Sequence, residues 1–105
     1  MKEEDLIITI HKSQDVDRFI IKGRMNAVSA PELERKIENA INEGTKNIVL
    51  NMFEVEFLSS AGIRVILKIH KQMSQQGGKF NIEHPSDNVR NVLGMTALDE
   101  MLIKY

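Results

Sequence analysis

Apolar positions along the chain follow two periods, and their order predicts the architecture. Leu6 to His11 (Leu-Ile-Ile-Thr-Ile-His) is rich in β-branched residues and predicts a strand. Gln14-Asp15 is a turn signal, and Val16 to Lys22 predicts a second strand paired with the first in a hairpin. Gly23 is expected to stop that pattern. Ser29-Ala30-Pro31-Glu32 predicts a helix start, because Ser29 can cap, Glu32 stands three residues on as in a capping box, and proline is tolerated in a first turn. Leu33, Ile37, Ala40 and Ile41 then recur at helical spacing, and Gly44 is placed to end the helix.

Asn47 to Met52 is a continuous apolar run that predicts a central strand buried on both faces. Phe53 to Leu58 reads as irregular. Ser59-Ser60 opens a second helix to about Gln75, with Ile63, Ile66, Leu67 and His70 on one face and Val65 and Ile69 widening it. Gly77-Gly78 breaks it. Lys79 to Glu83 alternates as a strand. Pro85-Ser86-Asp87 starts a third helix, with Val89, Val92 and Leu93 inward and Gly94 at its end. A turn around Leu98 and a last weak strand or tail at Leu102 to Lys104 follow. The order is β-β-α-β-α-β-α with a trailing β. Strands joined through helices run parallel, so the fold class is α/β: a mixed four- to five-stranded sheet with packed helices.

Composition narrows the function. The 105 residues are 42% hydrophobic and 28% charged, which suits one soluble domain over 1–105. A net charge of −1 supplies no global positive field, and 5% aromatics with no Trp supply no stacking platform, so direct nucleic-acid binding is not expected. No cysteine is present, which removes disulfides, thiolate nucleophiles and Cys-based zinc. The acidic start Met1-Lys2-Glu3-Glu4-Asp5 does not read as a secretory leader, and the apolar runs are too short for membrane insertion. A cytoplasmic location is expected.

Catalytic candidates are few. His11, His70 and His84 stand on different elements, with no pair at helical metal-ligand spacing. Ser59 and Ser60 are outside any Gly-x-Ser-x-Gly elbow, since Phe57 and Leu58 precede them. No glycine-rich phosphate loop with a lysine occurs. No enzyme activity, cofactor or metal is expected. The informative segment is Phe57-Leu58-Ser59-Ser60-Ala61-Gly62-Ile63-Arg64, which puts two hydroxyls at a helix N-terminus. One serine can serve simply as the N-cap. The functional reading is a phosphorylation switch, where a phosphate adds about −1.5 to −2 charge. Arg64, Lys68 and Lys71 form a basic stripe on the same helix, either a solvated face or the rim of an interface that meets an acidic partner.

Gly23-Arg24-Met25-Asn26-Ala27 before a helix, the Ile48-Val49-Leu50-Asn51 strand, Phe57 to Ile63, and Val92-Leu93-Gly94-Met95-Thr96-Ala97-Leu98-Asp99 together resemble the STAS domain. The set is similar to the bacterial anti-sigma factor antagonists, and it runs from Leu6 to Ile103. The resemblance implies an unphosphorylated form that binds an anti-sigma factor serine kinase and frees a sigma factor for transcription. It implies release once that kinase phosphorylates a serine at the start of the second helix, and resetting by a metal-dependent serine phosphatase. Carried over, the acceptor is Ser60, with Ser59 the second choice. The implied partner-binding residues are Gly23, Arg24, Met25, Asn26 and Ala27 in the loop, Ser59, Ala61 and Gly62 at the turn, and Ile63, Arg64 and Lys68 along the helix. Asn26, Asn51 and Ser59 stand where the family often has Asp. Two further readings accompany this one: an unphosphorylated STAS scaffold, as in an ABC lipid-transport complex, and a small-ligand or nucleotide sensor. A monomer or a weak dimer is expected.

Overall fold

The computed structural model describes residues 5–103. Strands β1 (Leu6–Lys12) and β2 (Asp17–Met25) form the antiparallel hairpin, with Leu6 opposite Gly23 and Lys12 opposite Asp17. The Ser13 amide and hydroxyl both donate to the Val16 carbonyl, at 3.0 and 2.8 Å, and close its turn. Strand β3 (Asn47–Leu58) lies parallel to β2, and β4 (Lys79–Glu83) parallel to β3, giving the order β1-β2-β3-β4. Helix α1 (Ala30–Asn42) connects β2 to β3, and α2 (Ser60–Gln75) connects β3 to β4. Helices α3 (Asp87–Met95) and α4 (Asp99–Leu102) follow. The mixed α/β architecture is as the apolar rhythm predicts. The expected tail strand is reduced to one parallel bridge, Ile82 to Ile103, entered through the short α4. Lys104, its expected end, lies outside the described residues.

The period of two along each strand decides where the core sits. Phe19 and Ile21 of β2, Ile48, Leu50 and Met52 of β3, and Phe80 and Ile82 of β4 belong to one buried cluster with Leu33 and Ile37 of α1, Ile66, Ile69 and Met73 of α2, and Val89 and Leu93 of α3. The alternate residues form the opposite face, where the register puts His11, Arg18, Val49 and Asn81 in one row and Thr9, Ile20, Asn51 and Glu83 in the next. His11, Thr9 and Arg18 are exposed, so that face is open to water. The expectation that Asn47 to Met52 is buried on both faces holds in part: Ile48, Leu50 and Met52 are buried on the core face, and on the other face Val49 is buried while Asn47 and Asn51 are half-buried. Val49 is 9% exposed and stands outside the core cluster. An ion pair of 3.0 Å from Arg18 Nε to Glu83 Oε2 spans β3 on this open side.

Four local expectations also change. Gly23 does not stop β2; it stands inside it, at φ +115°, opposite a register shift in which β3 carries the extra residue. A Cβ there would stand 2.2 Å from the Asp5 carbonyl oxygen, the atom that accepts from the Arg24 amide at 2.7 Å. Phe53 to Leu58 is strand, because two bulges break the alternation without ending the ladder. Ser29 makes no side-chain cap, so the capping box with Glu32 is absent. The α3 helix runs past Gly94 to Met95, and Ala97, at φ +57°, makes the left-handed turn after it.

Candidate functional site

The site is built where β2 and β3 end side by side. The Ser59 amide donates to the Met25 carbonyl at 2.9 Å and ties the exit of β3 to the exit of β2. Beyond Met25 the chain turns on Asn26. Its Oδ1 accepts from the Val28 and Ser29 amides at 2.9 and 3.0 Å, an Asx turn that leads into α1. The Ser29 hydroxyl instead points back, donating to the Arg24 carbonyl at 2.7 Å and accepting from the Asn26 amide at 2.9 Å. Asn26 Nδ2 donates to Asp5 Oδ2 at 3.1 Å. The loop is thus tightly bonded within itself, while Ala27 and Val28 at its tip are exposed, Val28 at 80%.

The second half of the site is the first turn of α2. Ser59 is extended, at ψ 170°, and its Oγ accepts from the Gly62 amide at 3.2 Å. It is the N-cap, and it satisfies one of the amides that a helix start leaves free. Ser60 is the first helical residue; it is exposed, and its hydroxyl has no partner among the described residues. The two serines that look equivalent in the sequence are therefore chemically distinct. Gly62 is buried, because a Cβ there would stand 2.7 Å from Leu58 Cδ1 and 2.9 Å from Met25 Sδ. Its lack of a side chain lets α2 lie against the strand ends.

Between α1 and α2 runs an open groove of about 380 Å³ lined by Ala27, Ala30, Pro31, Glu34, Ala61, Arg64, Val65 and Lys68. Its alanines, proline and valine are apolar; its charge comes from Glu34, Arg64 and Lys68. Lys68 binds Glu34 and also Glu38, at 3.4 Å for the second. Those carboxylates hold its ammonium above the ordinary lysine value, with the hydrogen bond to Glu34 the largest cause. The basic stripe is thus not uniform: Lys68 is committed to α1, whereas Arg64 is exposed and forms no ion pair among the described residues.

The structure brings Met25, Ala27, Ser59, Ser60, Ala61, Gly62 and Arg64 to one end of the fold, with Ile63 half-buried behind them. Arg24 is directed elsewhere: its guanidinium lies 4.6 Å from the centroid of the Phe57 ring, as a cation–π contact. Sequence reasoning missed Ala30, Pro31 and Glu34, the α1 side of the groove. The helical spacing of Ala30 and Glu34 in the sequence is the signal that could have found them. Among the described residues no three His, Asp or Glu side chains converge as metal ligands, and no helix is long and apolar enough to cross a membrane.

The family model of the STAS domain matches residues 8–104. BtrV of Bordetella bronchiseptica, assigned by name to the anti-sigma factor antagonists, is 31% identical over 81% of this chain and 73% of its own length. The chain belongs to the STAS domain family, among the anti-sigma factor antagonists. The STAS fold is shared with TM1081 of Thermotoga maritima at a TM-score of 0.80 and 27% identity, covering 91% of this chain and 83% of that one. It is shared as well with SpoIIAA of Bacillus, solved in both unphosphorylated and phosphorylated forms, at TM-scores of 0.82 and 0.76 and 18% identity. Those two SpoIIAA structures each align over 94% of this chain and over 88% and 91% of their own.

Proposed function

We propose that this STAS domain is a partner-switching regulator: unphosphorylated it binds a serine-kinase anti-sigma factor, and phosphorylated at Ser60 it releases that partner. The observation that carries the reading is the contrast between the two serines. Ser59 Oγ is held by the Gly62 amide, whereas the Ser60 hydroxyl is exposed and free. A kinase would transfer the terminal phosphoryl group of a nucleoside triphosphate to Ser60 Oγ, with the hydroxyl proton passing to solvent and the diphosphate leaving.

The binding surface would comprise the Gly23 to Ala27 loop, the Ser59 to Gly62 turn and α2 at Ile63, Arg64 and Lys68, with Met25 and Gly62 buried and Ile63 half-buried beneath the exposed Ala27, Ser60, Arg64 and Lys68. Ala27, Ala61 and the groove beside them supply apolar area next to the hydroxyl. A phosphate of about −1.5 to −2 charge placed there would need its water removed for a partner to close over it. Losing about 3 kcal/mol of binding weakens a complex more than a hundredfold, enough for a switch. The phosphate would be removed by a metal-dependent serine phosphatase, and the protein would act in the cytoplasm without catalysing a reaction itself. SpoIIAA, of the same fold, exists in both phosphorylation states, which supports the reading.

The test is intact-mass and site mapping of the protein from its host, with capture by wild type, Ser60→Ala and Ser60→Asp. Phosphate on Ser60, and a kinase held by wild type and Ser60→Ala but lost by Ser60→Asp, is the expected result. Equal capture by both variants sinks the mechanism. An unmodified chain held by a transporter subunit supports the scaffold, and a ligand-dependent rise in melting temperature supports the sensor.

A further inference from the structure

Arg64, placed on the partner-binding surface in the unmodified form, has no role assigned to it once Ser60 carries a phosphate. It stands one helical turn after Ser60, at i+4, a spacing that puts two side chains about 5–6 Å apart at Cβ on one side of a helix. Lys68 is occupied by Glu34 and Glu38 of α1. Arg64 has no carboxylate partner among the described residues, and the first turn of α2 contains no acid. With Ser59 at the cap, the first turn supplies no carboxylate to compete for a cation, and the acid that lines the groove with Arg64, Glu34 of α1, is paired with Lys68.

We propose that Arg64 is an internal receptor for the phosphate on Ser60: modification turns its guanidinium from the partner side onto the chain's own phosphate. The inference rests on the reading of Ser60 as a modified residue. Two general preferences and one observation support it. An anion on the N-terminal member of an i, i+4 pair is the favoured order on a helix. A guanidinium binds phosphate through paired N–H donors, which suits Arg better than Lys at this position. Arg64 also lines the groove beside Ala61, so its withdrawal removes a cation from the surface as the phosphate adds an anion. Release then has two components on one helical turn, a new charge and a lost contact.

The experiment uses the full chain with phosphoserine installed at position 60 during translation, so that no kinase is needed. The phosphate is titrated by 31P NMR in wild type, Arg64→Gln and Lys71→Gln. Lys71 is exposed on the same helix and controls for net charge. The expected result is a second ionisation that falls below the usual value of about 6 in wild type and in Lys71→Gln. In Arg64→Gln it should rise by about 0.2–0.4 pH unit, with the difference shrinking in 1 M salt. An unchanged midpoint in Arg64→Gln overturns the proposal, as does an equal rise in both variants. The switch is judged on another observable: a modified chain that still holds its kinase partner defeats the switch and leaves the titration standing.

Discussion

Gly62 of α2 packs so closely on Met25 of β2 that a Cβ would come within 2.9 Å of Met25 Sδ. Met25 is fully buried and Leu58 is 3% exposed, so neither side chain can yield without disturbing the core. Overpacking of this kind costs about 1–3 kcal/mol. The better helix propensity of alanine offsets up to about 1 kcal/mol of that. Gly62→Ala is therefore expected to lose roughly 1 kcal/mol in urea unfolding and to displace the first turn of α2. An unchanged unfolding midpoint would contradict the packing described.

The two serines should separate in stability as they do in chemistry. Ser59→Ala removes the cap on the Gly62 amide and should cost about 1 kcal/mol, a fall of about 4–8 °C in melting temperature. Ser60→Ala removes a hydroxyl with no partner and should stay within about 0.5 kcal/mol of wild type. Calorimetry of the two variants checks this directly, and the reverse order would reassign the cap.

Asn26 donates to Asp5 while its Oδ1 organises the loop. Asn26→Asp keeps the acceptor oxygen and turns the donor into a second carboxylate facing Asp5. One of the pair should then hold its proton to higher pH in the folded state than in the unfolded state. The folded state binds the extra proton, so stability falls as pH rises. The variant should match wild type near pH 4 and be the weaker of the two at pH 7, a difference that parallel denaturation curves would reveal.

Lys68 joins α1 to α2 from an exposed position, and water and salt screen such a pair. Lys68→Ala should lower stability slightly in dilute buffer and match wild type in 1 M salt. The folded state holds the ammonium above its usual value, so its contribution is complete at neutral pH. Alkaline titration should remove it only as pH climbs from the ordinary lysine value toward the raised one. A Lys68→Ala deficit that persists in strong salt would point to lost packing of the aliphatic stem.

Much of the fold is written in residue spacing. Leu33, Ile37 and Ile41 mark α1 by period, and Gly44, at φ +97°, ends it as expected. What spacing does not carry is competition between local bonds. Ser29 looks like a cap, yet the Arg24 carbonyl holds its hydroxyl and Asn26 does the capping work. Phe53 to Leu58 looks irregular because bulges shift the period of two while the backbone ladder continues. At the site, the position of Ser60 is readable from sequence. Its freedom beside an engaged Ser59 is not, since that depends on which hydroxyl meets the Gly62 amide.

The open face of the sheet makes the protein a convenient device. Thr9 lies on that side and is exposed, and the chain has no cysteine of its own. A Thr9→Cys variant therefore carries one addressable thiol, borne by the sheet rather than by the groove between α1 and α2. Coupled to a sensor surface through that thiol, every molecule is tethered by the sheet, and the proposed modification of Ser60 can be followed on an oriented layer.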